Sequence, residues 1–261
     1  MIEQYMTSKT KAPEYLDSAS TTKVDDRVLK AMIPYFNEIY GNASGNHAFG
    51  KQAKDAIEKS REQVANLINC NSSEIIFTSG STESINLAIK GYVESNPEKG
   101  NHIITVKTEH KAVLTTCEFL ETKGFEVTYL DVDKNGILSL DALRNSVKEN
   151  TSLFVIMYVN NETGVIQPIK EIGQIAKEQG IVFFCDATQA VGKVPVDTEK
   201  DNIDMLCFSG HKINGPKGIG VLYKRLDVEL TPLIHGGGQE KGLRGGTYNT
   251  PLIVGLGKAC E

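Results

Sequence analysis

The sequence has 261 residues, 40% of them hydrophobic and 23% charged, with a formal net charge of -5. This is the make-up of a globular chain with one large α/β domain or two smaller ones, and the acidic balance argues against a general nucleic-acid or anionic-membrane surface. No apolar run reaches membrane-spanning length, and residues 1–11 lack the apolar core of a secretory signal. Five cysteines scattered without CxxC pairing suit a reduced, cytoplasmic protein, not a disulfide framework or a metal site.

Taken in order, Tyr15-Leu-Asp-Ser-Ala-Ser-Thr-Thr22 leads into a helix with apolar positions Val28, Ala31, Met32, Tyr35, Phe36 and Ile39, capped by Asp25 and kinked at Pro34. A long amphipathic helix follows over 49–68, with Ala53, Ala56, Ile57, Val64, Leu67 and Ile68 facing inward. From there strands and helices alternate. Strands are predicted over 74–78, 102–106, 126–130, 153–159, 181–185, 205–208 and 220–223. Helices are predicted to end near Val93 and over 111–123, 140–147 and 169–179, with a last one reaching Cys260. Such alternation predicts an α/β fold, a mainly parallel sheet with helices on both faces.

Ligands of such sheets bind at the carboxyl ends of the strands. Five polar clusters fall just after a predicted strand: Thr78-Ser-Gly-Ser-Thr82, Thr108-Glu-His110, Asn160-Asn-Glu-Thr163, Asp186-Ala-Thr-Gln189 and Ser209-Gly-His-Lys212. They are expected to converge on one rim.

Each cluster has its own chemistry. Lys212 leaves a buried strand among glycines, where an amine is partly desolvated and kept partly neutral, as a Schiff-base lysine requires; a solvated loop lysine is the plain alternative. Ser79-Gly-Ser-Thr-Glu-Ser84 opens a helix and makes a phosphate cradle from Ser81, Thr82 and free N–H groups, although Ser and Thr cap helices without any ligand. Asp186 ends an apolar run, so its carboxylate needs a cation, such as a protonated pyridine nitrogen; capping of the next turn through Thr188 and Gln189 is compatible with that. His110 suits stacking on a flat cofactor and proton movement, or helix capping. Asn161 suits a bond to a ring oxygen, or simply a turn. The stretch from His235 to Thr247 is too glycine-rich for strand or helix. Its Arg244 and Thr247 are candidates for a phosphate at a subunit boundary, and a flexible surface loop is the alternative.

Tyr15-Leu-Asp, Thr78-Ser-Gly-Ser-Thr-Glu-Ser84, Lys107-Thr-Glu-His-Lys-Ala-Val-Leu114, Val159-Asn-Asn-Glu-Thr-Gly164, Asp186-Ala-Thr-Gln-Ala-Val-Gly-Lys193 and Ser209-Gly-His-Lys-Ile-Asn-Gly-Pro-Lys-Gly218 together resemble the NifS-like cysteine desulfurases, pyridoxal-phosphate enzymes of the class-V aminotransferase group. The resemblance implies a three-layer αβα large domain over 15–261 after a tail over 1–14, in a homodimer. It implies that Lys212 carries the cofactor, Asp186 pairs with its ring nitrogen, His110 stacks on the ring, and Asn161 and Gln189 position the ring and its oxygen. Thr82, Ser209 and His211 would hold the phosphate, joined by Thr247 of the other subunit.

The implied reaction converts L-cysteine to L-alanine and passes sulfur, as a persulfide, to an acceptor or scaffold protein for iron–sulfur cluster assembly or tRNA thiolation. Gly215-Pro-Lys-Gly218 favours the branch that serves those routes. In the family the attacking thiol and the arginine for the substrate carboxylate come later than Glu261, so the sequence resembles the large domain without its C-terminal small domain. Ser18-Ala-Ser20 stands where an Ala-Ala pair is usual. Another class-V pyridoxal enzyme, a cysteine lyase or aminotransferase, and a non-catalytic interaction module are the alternatives.

Overall fold

A computed structural model describes residues 13–261; most of the expected tail over 1–14, and the whole 1–11 stretch, lies outside the described residues. Seven strands form one sheet: β1 (Ile75–Thr78), β2 (His102–Val106), β3 (Glu126–Leu130), β4 (Thr151–Val155), β5 (Val182–Asp186), β6 (Met205–Ser209) and β7 (Gly220–Lys224). Their spatial order is β1-β7-β6-β5-β4-β2-β3. The pairs from β3 across to β6 are parallel, and β7 runs antiparallel to both β6 and β1.

Successive residues of a strand point to opposite faces, so an apolar run buried on both sides feeds two cores at once. Ile75 and Phe77, Phe154, Phe183 and Cys185, and Leu206 and Phe208 pack on one face. Ile76, Leu153 and Val155, Phe184, and Met205 and Cys207 pack on the other. The first face is covered by α3 (Ala48–Ile68), α6 (Leu140–Asn145), α7 (Ile169–Gln179) and α8 (Thr250–Cys260). The second is covered by α4 (Ser81–Ser95) and α5 (Lys111–Glu121). The layers are therefore α, β, α, as expected. Among the described residues no helix is long and apolar enough to cross a membrane.

Local departures have physical causes. The helix expected to kink at Pro34 is cut in two, α1 (Asp26–Met32) and α2 (Pro34–Asn37), because proline has no N–H for the ladder and sits best at a helix start. Asp25 caps α1 as expected, accepting the Arg27 N–H at 2.8 Å. Phe36 faces solvent at 61% exposure. The strand expected over 153–159 ends at Val155, but Ile156 and Tyr158 still donate to Phe184 and Asp186 of β5, and Val159 then bridges back to Ile166. That extension carries the chain onto the carboxyl rim.

The glycine-rich stretch is anchored by a side chain from its middle. Glu240 is 4% exposed; it takes two bonds from the Arg61 guanidinium at 2.8 and 2.9 Å and one from the Phe77 N–H at 3.0 Å. Glu240 and Lys241 both have positive φ, a conformation that costs energy for residues other than glycine and is held here by the ion pair.

Candidate functional site

The carboxyl ends of the strands open into a cleft of about 770 Å³. All five polar clusters contribute to it, through Ser81 and Thr82, His110, Asn161, Asp186 and Gln189, and Ser209, His211 and Lys212. Thr247 lies elsewhere, bordering a neighbouring cavity with Arg244 and Tyr248. The Arg244 guanidinium bonds the Glu83 carboxylate at 2.8 and 3.3 Å, so its charge is already matched within the chain.

The floor is β5 and β6. Asp186 is buried; its Oδ1 accepts the Thr188 N–H at 3.0 Å and lies 3.6 Å from the Cys207 sulfur. Both the capping bond and the exit from an apolar strand are therefore present. Among the described residues no side chain or backbone N–H bonds Oδ2, which leaves it available to a cation in the cleft.

At one end stands the N-terminus of α4. The helix macrodipole and unpaired first-turn N–H groups put roughly half a positive charge there. The Ser81 hydroxyl lies 2.8 Å from that of Thr188, and the buried Thr78 and Ser84 hydroxyls, 2.7 Å apart, fix the turn from beneath. The loop reaches this position because Gly80 adopts φ 157° and rests directly on Gly220 of β7. A Cβ on Gly220 would stand 2.6 Å from the Gly80 backbone, which has no flexible end to give way. We expect Gly220→Ala to cost about 1–3 kcal/mol of stability and to weaken binding of a phosphate ligand roughly tenfold. Thermal unfolding with a parallel binding titration reads both, and a variant that unfolds and binds as the wild type would refute the contact.

Lys212 sits at the other end, in the single turn after β6. Its ammonium donates to the carbonyls of Ala19 and Ser20 at 2.6 and 2.7 Å. Burial lowers its pKa, opposed by the nearby charges of Asp17 and Asp186. His211 beside it is lowered by burial and then by the charges of Lys212, Lys217 and Lys193. The Ser209 hydroxyl donates to the Ile219 carbonyl at 3.2 Å. His110 caps α5, its Nδ1 accepting the Ala112 N–H at 3.1 Å, so the proton of the neutral ring belongs on Nε2.

Sequence reasoning left the segment from Asp17 to Thr21 without a role, yet Asp17, Ala19, Ser20 and Thr21 form one wall of the cleft. Thr22 donates to the His211 carbonyl through both its N–H and its hydroxyl, Thr21 bonds the His211 ring at 3.1 Å, and Gln189 donates to the Ala19 carbonyl at 2.8 Å. The signal was present in Tyr15-Leu-Asp and the hydroxyl residues after it, but it has no periodicity. Gln189 also accepts from Lys193, so both ends of its amide are engaged by the protein. Arg61 was legible as a charge on the buried stripe of α3.

None of the five thiols lines the cleft, although the Cys207 sulfur lies against Asp186 of its floor. Burial, the leading cause at each, pushes Cys70, Cys117 and Cys260 up to about 12 and Cys185 and Cys207 well above the ordinary thiol range. None is poised as a thiolate nucleophile.

An α/β sheet covered on both faces thus brings a lysine, a buried carboxylate and a helix N-terminus together at its carboxyl rim. The profile of the family described as "Aminotransferase class-V" matches residues 14–261, and the chain belongs to that family. It is 58% identical over 252 residues to "Cysteine desulfurase IscS" of Ehrlichia chaffeensis, an alignment covering 95% of this chain and 62% of that protein. It is 54% identical over 254 residues to "Probable cysteine desulfurase, mitochondrial" of Dictyostelium discoideum, covering 96% and 56%. Among solved structures, "SspA in complex with cysteine" superposes with a TM-score of 0.93 at 48% identity, over 95% of this chain and 72% of that one. "NIFS-LIKE PROTEIN" gives 0.93 at 46% identity, over 95% and 69%. The chain thus spans less than two thirds of the length of the curated relatives it matches.

Proposed function

We propose that the chain is the pyridoxal-phosphate-binding large domain, over 15–261, of a cysteine desulfurase that converts L-cysteine to L-alanine and hands the sulfur to an acceptor thiol as a persulfide. The carrying observation is the meeting of Lys212, Asp186 and the α4 N-terminus in one cleft. The residues present fit the cofactor: a carboxylate with one oxygen free of protein bonds suits a protonated ring nitrogen, and a helix start rich in small hydroxyl residues suits a phosphate. When bound, the cofactor supplies an electron sink for charge developing on the substrate α-carbon.

Within this reading Lys212 Nζ would hold the cofactor and move the substrate α-proton, and burial, which lowers the pKa of this amine, favours that role. Asp186 Oδ2 would pair with a protonated ring nitrogen. His110 stacks on the ring and carries a proton at Nε2. Ser81, Thr82, Ser209 and His211 take the phosphate, while Asn161 and Gln189 orient the ring. Thr247 borders a different cavity within its own chain, and by the family resemblance it would reach the phosphate of the other subunit of a homodimer. The sulfur acceptor, in iron–sulfur cluster assembly or tRNA thiolation, and the cytoplasmic location belong to the same proposal.

The five thiols are buried or half-buried and none lines the cleft, so in this reading the thiol that takes the sulfur is supplied from outside these 261 residues. With pyridoxal phosphate and L-cysteine, the purified chain is expected to change its cofactor spectrum on cysteine binding without sustained alanine or sulfide production. Sustained turnover at the rate of an intact desulfurase would overturn the assignment of the thiol. Pyruvate or keto-acid release across an amino-acid panel would move the reading to a lyase or an aminotransferase.

A further inference from the structure

Glu109 lies on the loop from β2 into α5, between two solvent-facing neighbours, yet it is itself only 6% exposed. Its Oε1 accepts the Met157 N–H at 2.6 Å. Its Oε2 is buried with no hydrogen-bond partner. The reason for the first contact is the length of β2. Thr105 pairs with Val155, β2 ends one residue later, and the Met157 amide on that side of the β4 extension has no strand to meet. The carboxyl takes the place of the missing ladder carbonyl.

The surroundings disfavour a charge on it. Among the described residues no Lys, Arg or His pairs with Glu109, and the ionisable groups facing it are Asp186 and Cys185 of β5 and Cys117 of α5. A carboxylate with a second carboxylate nearby and no cation is costly to bury. Burial first, and Asp186 second, push the Glu109 carboxyl well above its usual range, against the opposing pull of the Met157 N–H.

We propose that Glu109 is a positioning residue of the cleft, a neutral acid whose Oε1 fixes Met157 and the segment running to Asn161, and whose lack of charge puts no second negative charge beside Asp186. This rests on the reading of the cleft as a cofactor site. An ionised Glu109 would put a second negative charge beside the carboxyl of Asp186, and loss of its acceptor oxygen would free the wall between His110 and Asn161.

Two variants test it. Glu109→Gln keeps a neutral acceptor for Met157; Glu109→Leu removes it. In a titration with pyridoxal phosphate followed by ring absorption, Glu109→Gln is expected to bind within about twofold of the wild type and Glu109→Leu roughly tenfold more weakly. Thermal unfolding of the cofactor-free chain from pH 5 to 9 gives an independent reading. The folded wild type holds a proton that the unfolded chain releases above the ordinary carboxyl pKa, so its stability falls as pH rises towards the folded pKa. Glu109→Gln holds no such proton. Its melting temperature should match the wild type near pH 5 and exceed it increasingly above, by roughly 3–5 °C per pH unit until the folded pKa is reached.

A Gln variant that binds as weakly as the Leu variant would show that the charge is used and overturn the proposal. So would a Leu variant that binds as the wild type, or a melting difference that does not change with pH. Should Glu109→Leu fail to fold, Glu109→Gln still decides the matter through its own affinity and pH profile. A wild type with no affinity for pyridoxal phosphate sinks the cofactor reading and the positioning role with it, while the pH series still reports whether Glu109 is neutral.

Discussion

Replacing Lys212 with Ala is expected to abolish covalent attachment of pyridoxal phosphate while leaving the fold intact. In the wild type, borohydride reduction of the reconstituted protein should fix the cofactor to one peptide, the one containing Lys212, and the absorption band of the lysine-bound form should disappear with the amine. The fold should survive because the side chain is half-buried and its only hydrogen bonds go to the Ala19 and Ser20 carbonyls, which water can satisfy. Non-covalent binding through the α4 N-terminus and Asp186 should persist at lower affinity. The informative failure is a reduced adduct on another lysine. Lys193 is the nearest competitor in chemistry, an amine lowered by burial and by the charge of Lys212, but it is held by the Gln189 carbonyl at 2.6 Å. An adduct there in the wild type would overturn the assignment of the reactive amine.

The largest stability effect is expected at Glu240. Glu240→Ala strips the Arg61 guanidinium of its counter-charge in a site where the two side chains are 8% and 2% exposed. Removing one partner of a buried pair costs about 3–5 kcal/mol, because the remaining charge stays desolvated. For a chain of this size that lowers Tm by roughly 6–20 °C. The same change removes the acceptor of the Phe77 N–H, so this amide should exchange with solvent faster. The double replacement Arg61→Met, Glu240→Leu should recover most of the loss, since neither charge is left alone. A single variant that melts with the wild type would show that Glu58, already 3.3 Å from Arg61 Nε, suffices as its counter-charge.

Element order was readable because the central strands are largely apolar runs bounded by turn residues, although the edge strand β3, Glu126-Val-Thr-Tyr-Leu130, is mixed and mostly half-buried. The direction of β7 was not, since an apolar run looks the same whichever way it is laid into a sheet. Nine of the eleven site residues expected from sequence meet in the cleft, for a reason of geometry: in parallel strands every carboxyl end faces the same way, so any polar residue just after a strand arrives at one rim. The exceptions, Arg244 and Thr247, follow an antiparallel strand and a glycine-rich excursion to which that rule does not apply. The wall from Asp17 to Thr21 was hidden because it has no repeating pattern and is held by bonds to a turn near the other end of the sequence. Glu109 was hidden for the opposite reason: a glutamate in a polar loop looks solvated, and only the early end of β2 turns it inward.

The antiparallel placement of β7 also bears on how the chain is assembled during synthesis. Ile75 pairs with Tyr223, and among the strands β1 pairs with β7 alone. A ribosome delivers β1, and the turn that opens α4, long before their neighbour exists. The inner parallel strands β2, β4 and β5 can associate as they emerge, whereas β1 must wait, its edge unpaired, until Gly220–Lys224 has left the exit tunnel. The end of the cleft at the α4 N-terminus is thereby the last part of the sheet to close. Nascent chains released before residue 224 would carry a formed central sheet and an exposed, aggregation-prone β1.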